Sequence, residues 1–252
     1  MIVRLAHGST TNGLHSLEPQ YIRGNNGSQA GIGVNMTADA EIAVRYADKT
    51  GSVYFIDTDI SGFLTVSENV TISAGQSEIL KMHLRTLPDV DQYRLASDFC
   101  GKSSKVFDND KDAEHFYKSE RQAYKDMGFT LDRLKPEIDY ADDGRMMILY
   151  ANKSFDNLTD VTTKRLHYAL NLFDNSIATS LLKTISPGLI LERENGKHHY
   201  LSFRNSEPIT DVLDSNFLAK PNAIDVIQRT CDRFLNLNGP TIHSHQNEGP
   251  SL

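Results

Sequence analysis

The chain has 252 residues, 39% of them hydrophobic and 23% charged, and carries a formal net charge of −7. These values exclude wholesale disorder and fibrous repeats, and they suit one principal globular domain. The acidic balance excludes phosphate backbones as the default partner, because that binding needs clustered Lys and Arg, and leaves room only for a local basic patch. No apolar run approaches the roughly 18–20 residues that cross a bilayer, so no membrane partner is expected. The opening MIVRLAHGST is too short and too polar for a signal peptide. A cytoplasmic protein is expected, or one delivered into a host cell by machinery that reads no such signal. Cys100 and Cys231 stand apart without a CxxC, which argues for two buried thiols and against a disulfide framework or a zinc knuckle.

In chain order, Ile2 to Ala6 is a short apolar run ending at His7-Gly8-Ser9, and it predicts a strand. The stretch from Arg23 to Gly33 is rich in Gly, Asn and Ser and predicts a mobile loop. Val34 to Met36 is expected to be extended. Thr37 is the expected N-cap of a helix over Ala38 to Asp48, in which Ala40, Ala43, Val44 and Ala47 share one face. Gly51 breaks that helix, and Ser52 to Ile60 alternates like a half-buried strand with Val53, Phe55 and Asp57 on one side. Ser77 to Gly128 reads as helical, with Ile79, Leu80, His83, Leu84 and Leu87 on a face, a polar loop from Cys100 to Asp112, and a second helix over Ala113 to Met127. Two later segments, Met127 to Val161 and Ser186 to Leu213, share a layout of strand, polar turn with Gly, and second strand, which predicts two hairpins. Between them Thr163 to Ile185 predicts one amphipathic helix through Leu166, Ala169, Leu170, Phe173, Ile177 and Leu181. The composition after Leu235 predicts a disordered tail.

Val3 to Gly13 (VRLAHGSTTNG), the Gly-rich loop and Gly31 to Ala47 (GIGVNMTADAEIAVRYA) resemble the two leading motifs of the poly- and mono-ADP-ribosyltransferases. In that family a strand ends in His-Gly-Ser or His-Gly-Thr, and a later G-x-G-[IV]-Y-[FL] strand runs into a helix bearing a second tyrosine. The resemblance covers roughly the first sixty residues. It implies an α+β fold, an ADP-ribosyltransferase-like split β-sheet core with inserted helices, spanning 1–235 with the insertion near 77–127 and a tail over 236–252. It implies NAD as co-substrate. A neutral His7 would bond a ribose hydroxyl. Gly8 would let the backbone approach the nicotinamide carboxamide, and Tyr46 would stack on the flat, cationic ring. Ser9, Gly33, Asn35 and Thr37 complete the expected nucleotide contacts. Asn35 stands where the family has a tyrosine, and it can hydrogen-bond but cannot stack.

The family's third element is an acidic residue, sometimes Gln, just before a late strand. Aligned on Tyr200-Leu-Ser-Phe203 that place falls to His199; aligned on Met147-Ile-Leu-Tyr150 it falls to Met146. The later strand is preferred, with Glu192, Glu194 and Glu207 as alternative carboxylates. His199 and Glu192 therefore join His7 and Tyr46 as the expected catalytic set. Competing motifs fail: Gly31-Ile-Gly33 has Met36 where a Rossmann fingerprint needs its third glycine, and Asp108-x-Asp110-x-Asp112 lacks the turn glycine and bidentate Glu of a calcium loop. No metal site is expected. The chemistry implied is mono-ADP-ribosyl transfer from NAD, with a protein acceptor favoured over nucleic acid, in the manner of a bacterial or phage effector or toxin. The alternative is a degenerate ADP-ribosyltransferase fold that acts as a binding module.

Overall fold

The computed structural model describes residues 1–19, 33–192 and 197–238, so the expected loop from Arg23 lies almost wholly outside the described residues, as does the tail from residue 239. The protein is α+β and divides into two compact units. Among the described residues the first unit comprises 1–19, 33–63, 188–192 and 197–238, and the second comprises 64–187, which contains the expected helical insertion.

The first unit is built on strands β1 (Ile2–Ser9), β2 (Ser16–Leu17), β3 (Val34–Thr37), β4 (Ser52–Asp59), β9 (Gly188–Glu192), β10 (His198–Ser202) and β11 (Glu207–Leu213). They lie in the order β2-β11-β4-β1-β3-β10-β9, and each of these pairings is antiparallel. β1 pairs with β4 along its whole length, from Ile2↔Asp59 to Ser9↔Ser52. Side chains alternate between faces. Val3, Leu5, Val34, Met36, Tyr54, Ile56 and Tyr200 form one core layer with Leu17, Ile60 and Phe63. Ala6, Val53 and Phe55 form the other with Ala40, Ala43 and Ala47 of helix α1 (Ala40–Ala47) and Ile227 and Cys231 of α8 (Ala223–Asn238), which follows the short helix α7 (Ser215–Leu218). Both faces of β1 are therefore covered, which is why its sequence reads as an apolar run rather than as strict alternation. Arg4, across from Asp57 on the ladder, is kept in the sheet by a bidentate ion pair at 2.6 and 2.7 Å.

The second unit holds a short strand β5 (Leu64–Val66), helices α2 (Ala74–Leu84), α3 (Asp89–Cys100), α4 (Asp110–Asp126), α5 (Thr163–Phe173) and α6 (Asn175–Lys183), and a small antiparallel sheet β6-β8-β7. Its strands are β6 (Ser103–Val106), β7 (Glu137–Tyr140) and β8 (Met146–Tyr150).

Several local expectations change. Asp39, not Thr37, caps α1: its carboxylate accepts from the amides of Glu41 and Ile42, while the Thr37 hydroxyl accepts from Asp39 N. β6 forms inside the expected polar loop, because Ser103, Ser104 and Lys105 gain ladder partners on β8 that no local pattern foretells. Gly128 to Leu134 is no strand; it ends in a single 3₁₀ turn, Asp132–Leu134, and the first hairpin is β7–β8. The single helix expected over Thr163 to Ile185 is two. Asp174 is extended (φ −166°, ψ 124°) and its side chain caps Ser176 and Ile177, so the chain breaks there although the apolar spacing runs on. Ile79 is 39% exposed whereas Leu80 and Leu84 are fully buried, and α2 ends before Leu87. Cys231 is buried; Cys100 is only half-buried.

Candidate functional site

Three segments far apart in sequence, β1, β3 and β10, become neighbours in the sheet. The join between β1 and β3 is narrow: the register recorded for it is the single pair Ala6↔Thr37, whereas β1–β4 is paired throughout. Past Ala6, therefore, the β3-facing side of His7 and Gly8 is not closed by a continuous ladder. His7 bridges this opening with its side chain. Its Nδ1 lies 2.7 Å from the Asn35 carbonyl, and because a carbonyl can only accept, Nδ1 carries the proton. Burial lowers the His7 pKa, and the bond to Asn35, which acts the other way, does not restore it. The ring is thus neutral at pH 7 and its Nε2 is a bare acceptor, with no partner among the described residues.

Gly8 has a different reason from the one the sequence implied. A Cβ built there would stand 1.8 Å from the Ala43 carbonyl oxygen and 2.8 Å from Ala47 N, so the glycine is required by the close packing of α1 on β1. Gly33 is similar: its Cβ would meet Ser202 O at 2.5 Å. Neither glycine needs a ligand to explain it. Ser9 accepts from Thr11 N and is part of the β1–β4 ladder. Tyr46 is 60% exposed. It follows Ala43 by three residues, so it borders the helix stripe that touches Gly8, and its ring is available to a ligand.

On β10, His199 pairs with Thr37 of β3 and with Leu191 of β9; it is buried, at 8% exposure. Alternation sets His199 and Thr37 on the face opposite Tyr200 and Met36, the face that α1 covers. By the same rule His7 shares the side of Leu5 and Tyr54. The two imidazoles thus serve opposite faces of the sheet, and a molecule that met both would have to pass through the opening between β1 and β3. Glu192 ends β9 opposite His198 and is exposed.

Sequence reasoning missed the groups next to His199. Lys197 makes an ion pair of 2.5 Å with Asp39, continuing the His199↔Thr37 register by two residues. Burial of the Asp39 carboxyl works against ionisation, but Lys197 and the α1 amides outweigh it and hold the pKa below the ordinary value; Lys197 is raised in turn. Gln228 of α8 accepts from Ala40 N and donates to the Ala38 carbonyl, completing the end of α1. The D-A-E-I run after Thr37 was a readable cap signal for Asp39; nothing local marks Lys197 or Gln228.

No protein-family model, no curated protein and no solved structure matches this chain.

The alternative carboxylates separate clearly. Glu207 is 2% exposed and fully engaged: it accepts from Ser202 Oγ at 2.5 Å and from Thr58 Oγ1 at 3.1 Å, and pairs with Arg204 at 3.2 Å. Its network ties β4, β10 and β11 together and, at 2% exposure, holds the carboxylate in the interior as a structural group. Glu194 lies outside the described residues. Met146 opens β8, whose ladder partners are β6 and β7, whereas His199 pairs with Thr37 of β3. Among the described residues no group of three or more His, Cys, Asp or Glu side chains is arranged to hold a metal, and no helix is long and apolar enough to cross a membrane.

Proposed function

We propose that this chain is an NAD-dependent mono-ADP-ribosyltransferase with a split-sheet core of the ADP-ribosyltransferase type. The observation that carries the reading is the break in the ladder beyond Ala6↔Thr37, where a neutral His7 bonds the Asn35 carbonyl; Tyr46, exposed on α1, belongs to the helix that covers the opposite face of the sheet. A protein acceptor is favoured, and an effector or toxin role fits the same chemistry. NAD would supply the activated bond between nicotinamide and ribose; the residues here would bind and orient it. His7 Nε2 would accept from a ribose hydroxyl, with Ser9 and Asn35 as further polar contacts; for Tyr46 to cover the nicotinamide ring the ligand would have to pass through the break between β1 and β3, and Thr37, buried and already accepting from Asp39 N, would serve only as support. Cleavage through an oxocarbenium-like state asks chiefly for such positioning and for electrostatics. At the third position His199 would stand in for the family's acid, with Glu192, across from His198 on the adjoining strand, as the alternative carboxylate.

A second reading, a fold retained for recognition alone, is favoured by Asn35 in the stacking place and by the absence, among the described residues, of an unpaired carboxylate beside Thr37, where Asp39 is held by Lys197. The two are separated by incubating the protein with biotinylated NAD and following free nicotinamide and self-labelling. The enzyme reading expects turnover that His7→Ala abolishes with the melting temperature little changed, and that His199→Ala or Glu192→Gln lowers more than Met146→Ala does. NAD binding without nicotinamide release in the wild type would leave recognition as the function.

A further inference from the structure

Within the second unit, three arginines from three elements surround one carboxylate. Arg94 and Asp98 are one helical turn apart on α3, an i,i+4 pair. Arg133, from the 3₁₀ turn before β7, bonds Asp98 Oδ2 at 2.9 Å. Arg165, from α5, donates its Nε to the Asp98 backbone carbonyl at 3.0 Å. All three guanidinium groups act on the Asp98 carboxylate, yet burial still raises its pKa. Asp98 is their shared carboxylate partner, while Asp156 and Asp160 act with Arg165 on the neighbouring Cys100. Each guanidinium has five N–H donors, and very few are used among the described residues. Arg94 reaches the Leu172 carbonyl at 3.5 Å and lies over the Phe173 ring at 4.9 Å, while its Nε is buried without a partner.

The same surface carries exposed rings and apolar groups. Arg165, Tyr168 and Leu172 fall at i, i+3 and i+7 on α5, so they share one face. Tyr168 is 65% exposed and Leu172 52%. Arg165 marks one end of this strip and Arg94, at Leu172 and Phe173, the other.

We infer that the α3–α5 face is a binding site for single-stranded nucleic acid, with Arg94, Arg133 and Arg165 meeting phosphates and Tyr168 stacking on an unpaired base. The pattern matches what such a ligand needs: cationic groups that follow a backbone, and an aromatic plane that accepts any base. A duplex hides its bases and could use only the arginines. The site lies wholly within one unit and does not depend on NAD chemistry.

The test is anisotropy of a fluorescein-labelled mixed-sequence RNA oligonucleotide of about 15 nucleotides, titrated without NAD with the full chain at several salt concentrations. Three phosphate contacts predict a slope of log K against log salt of about −2. Arg133→Gln and Arg165→Gln should each weaken binding and flatten that slope. Tyr168→Ala should weaken it about tenfold at unchanged slope, and Tyr168→Phe should restore it. Arg133→Lys, which keeps the charge, checks that losses do not come from unfolding, together with a thermal melt of each variant. Absence of binding at low salt, binding indifferent to these substitutions, or equal affinity for duplex and for heparin would overturn the assignment. Because NAD is left out, failure here says nothing against nicotinamide release at His7, and the reverse holds.

Discussion

Replacing Gly8 by alanine separates two explanations of the same residue. The new Cβ would lie 1.8 Å from the Ala43 carbonyl oxygen, and contacts below 3.0 Å are essentially never found, so the helix must withdraw by about 1.2 Å (3.0 − 1.8) at that point. The obstacle is backbone in the middle of α1, which cannot rotate aside as a side chain would. It is flanked by Ala40 and Ala47, whose packing on Ala6, Val53 and Phe55 would open with it. Overpacking of this kind costs about 1–3 kcal/mol, and with backbone as the obstacle we expect about 3 kcal/mol. For a chain of this size that lowers the melting temperature by about 6–12 °C. Scanning calorimetry or far-ultraviolet dichroism of the protein without ligand measures it. If Gly8 served only the approach of NAD, the ligand-free variant would melt like the wild type and only NAD binding would fall. A wild-type melting temperature would therefore refute the packing argument.

The Glu207 network should be less sensitive. Glu207→Gln removes the charge partner of Arg204, but that arginine is 35% exposed and keeps the Asp59 carbonyl, so the cost should be about 1–2 kcal/mol, read as a lower urea midpoint at unchanged m-value. His7 sets a pH dependence. Its folded pKa lies below the ordinary 6.5 of the unfolded chain, so the unfolded state binds more protons in that interval and stability rises with pH. The contribution is fully present above about pH 6.5 and is lost as pH falls through the folded pKa; His7→Gln should remove that part of the slope in melts from pH 5 to 7. Nicotinamide release, if it uses the Nε2 lone pair, should fall over the same acid limb. Asp174→Ala removes the cap between α5 and α6 and should cost about 1 kcal/mol in chemical denaturation, whereas no loss would mean that the two amides find water as readily.

The sequence alone determined the features that depend on near neighbours. The apolar run from Ile2, the alanine stripe of α1, the break at Gly51 and a strand from Ser52 follow from near neighbours and form where expected, though β1 continues three residues past Ala6 to Ser9 and β4 is buried on both faces, Val53 to Ile56 alike, rather than half-buried. His7, Tyr46 and Asn35 stand out because they lie in or beside short motifs, and their roles remain part of the proposal. Where two local signals competed, the wrong one was readable: Thr37 and Asp39 both suit an N-cap, and Asp174 lay hidden inside an unbroken apolar spacing that two helices satisfy as well as one. Only the tertiary structure decided the rest. The neighbours of β1 are β4 and β3, and β10 meets β3 from more than 150 positions away; strand pairing is a property of two segments, and neither contains it. The same applies to β6, whose polar residues become a strand through β8. It applies to Glu207, a candidate acid on paper that Ser202, Thr58 and Arg204 convert into a fastening. It applies above all to Gly8, since a missing side chain looks identical in sequence whether a ligand or a helix occupies the space beside it, and here the space belongs to α1.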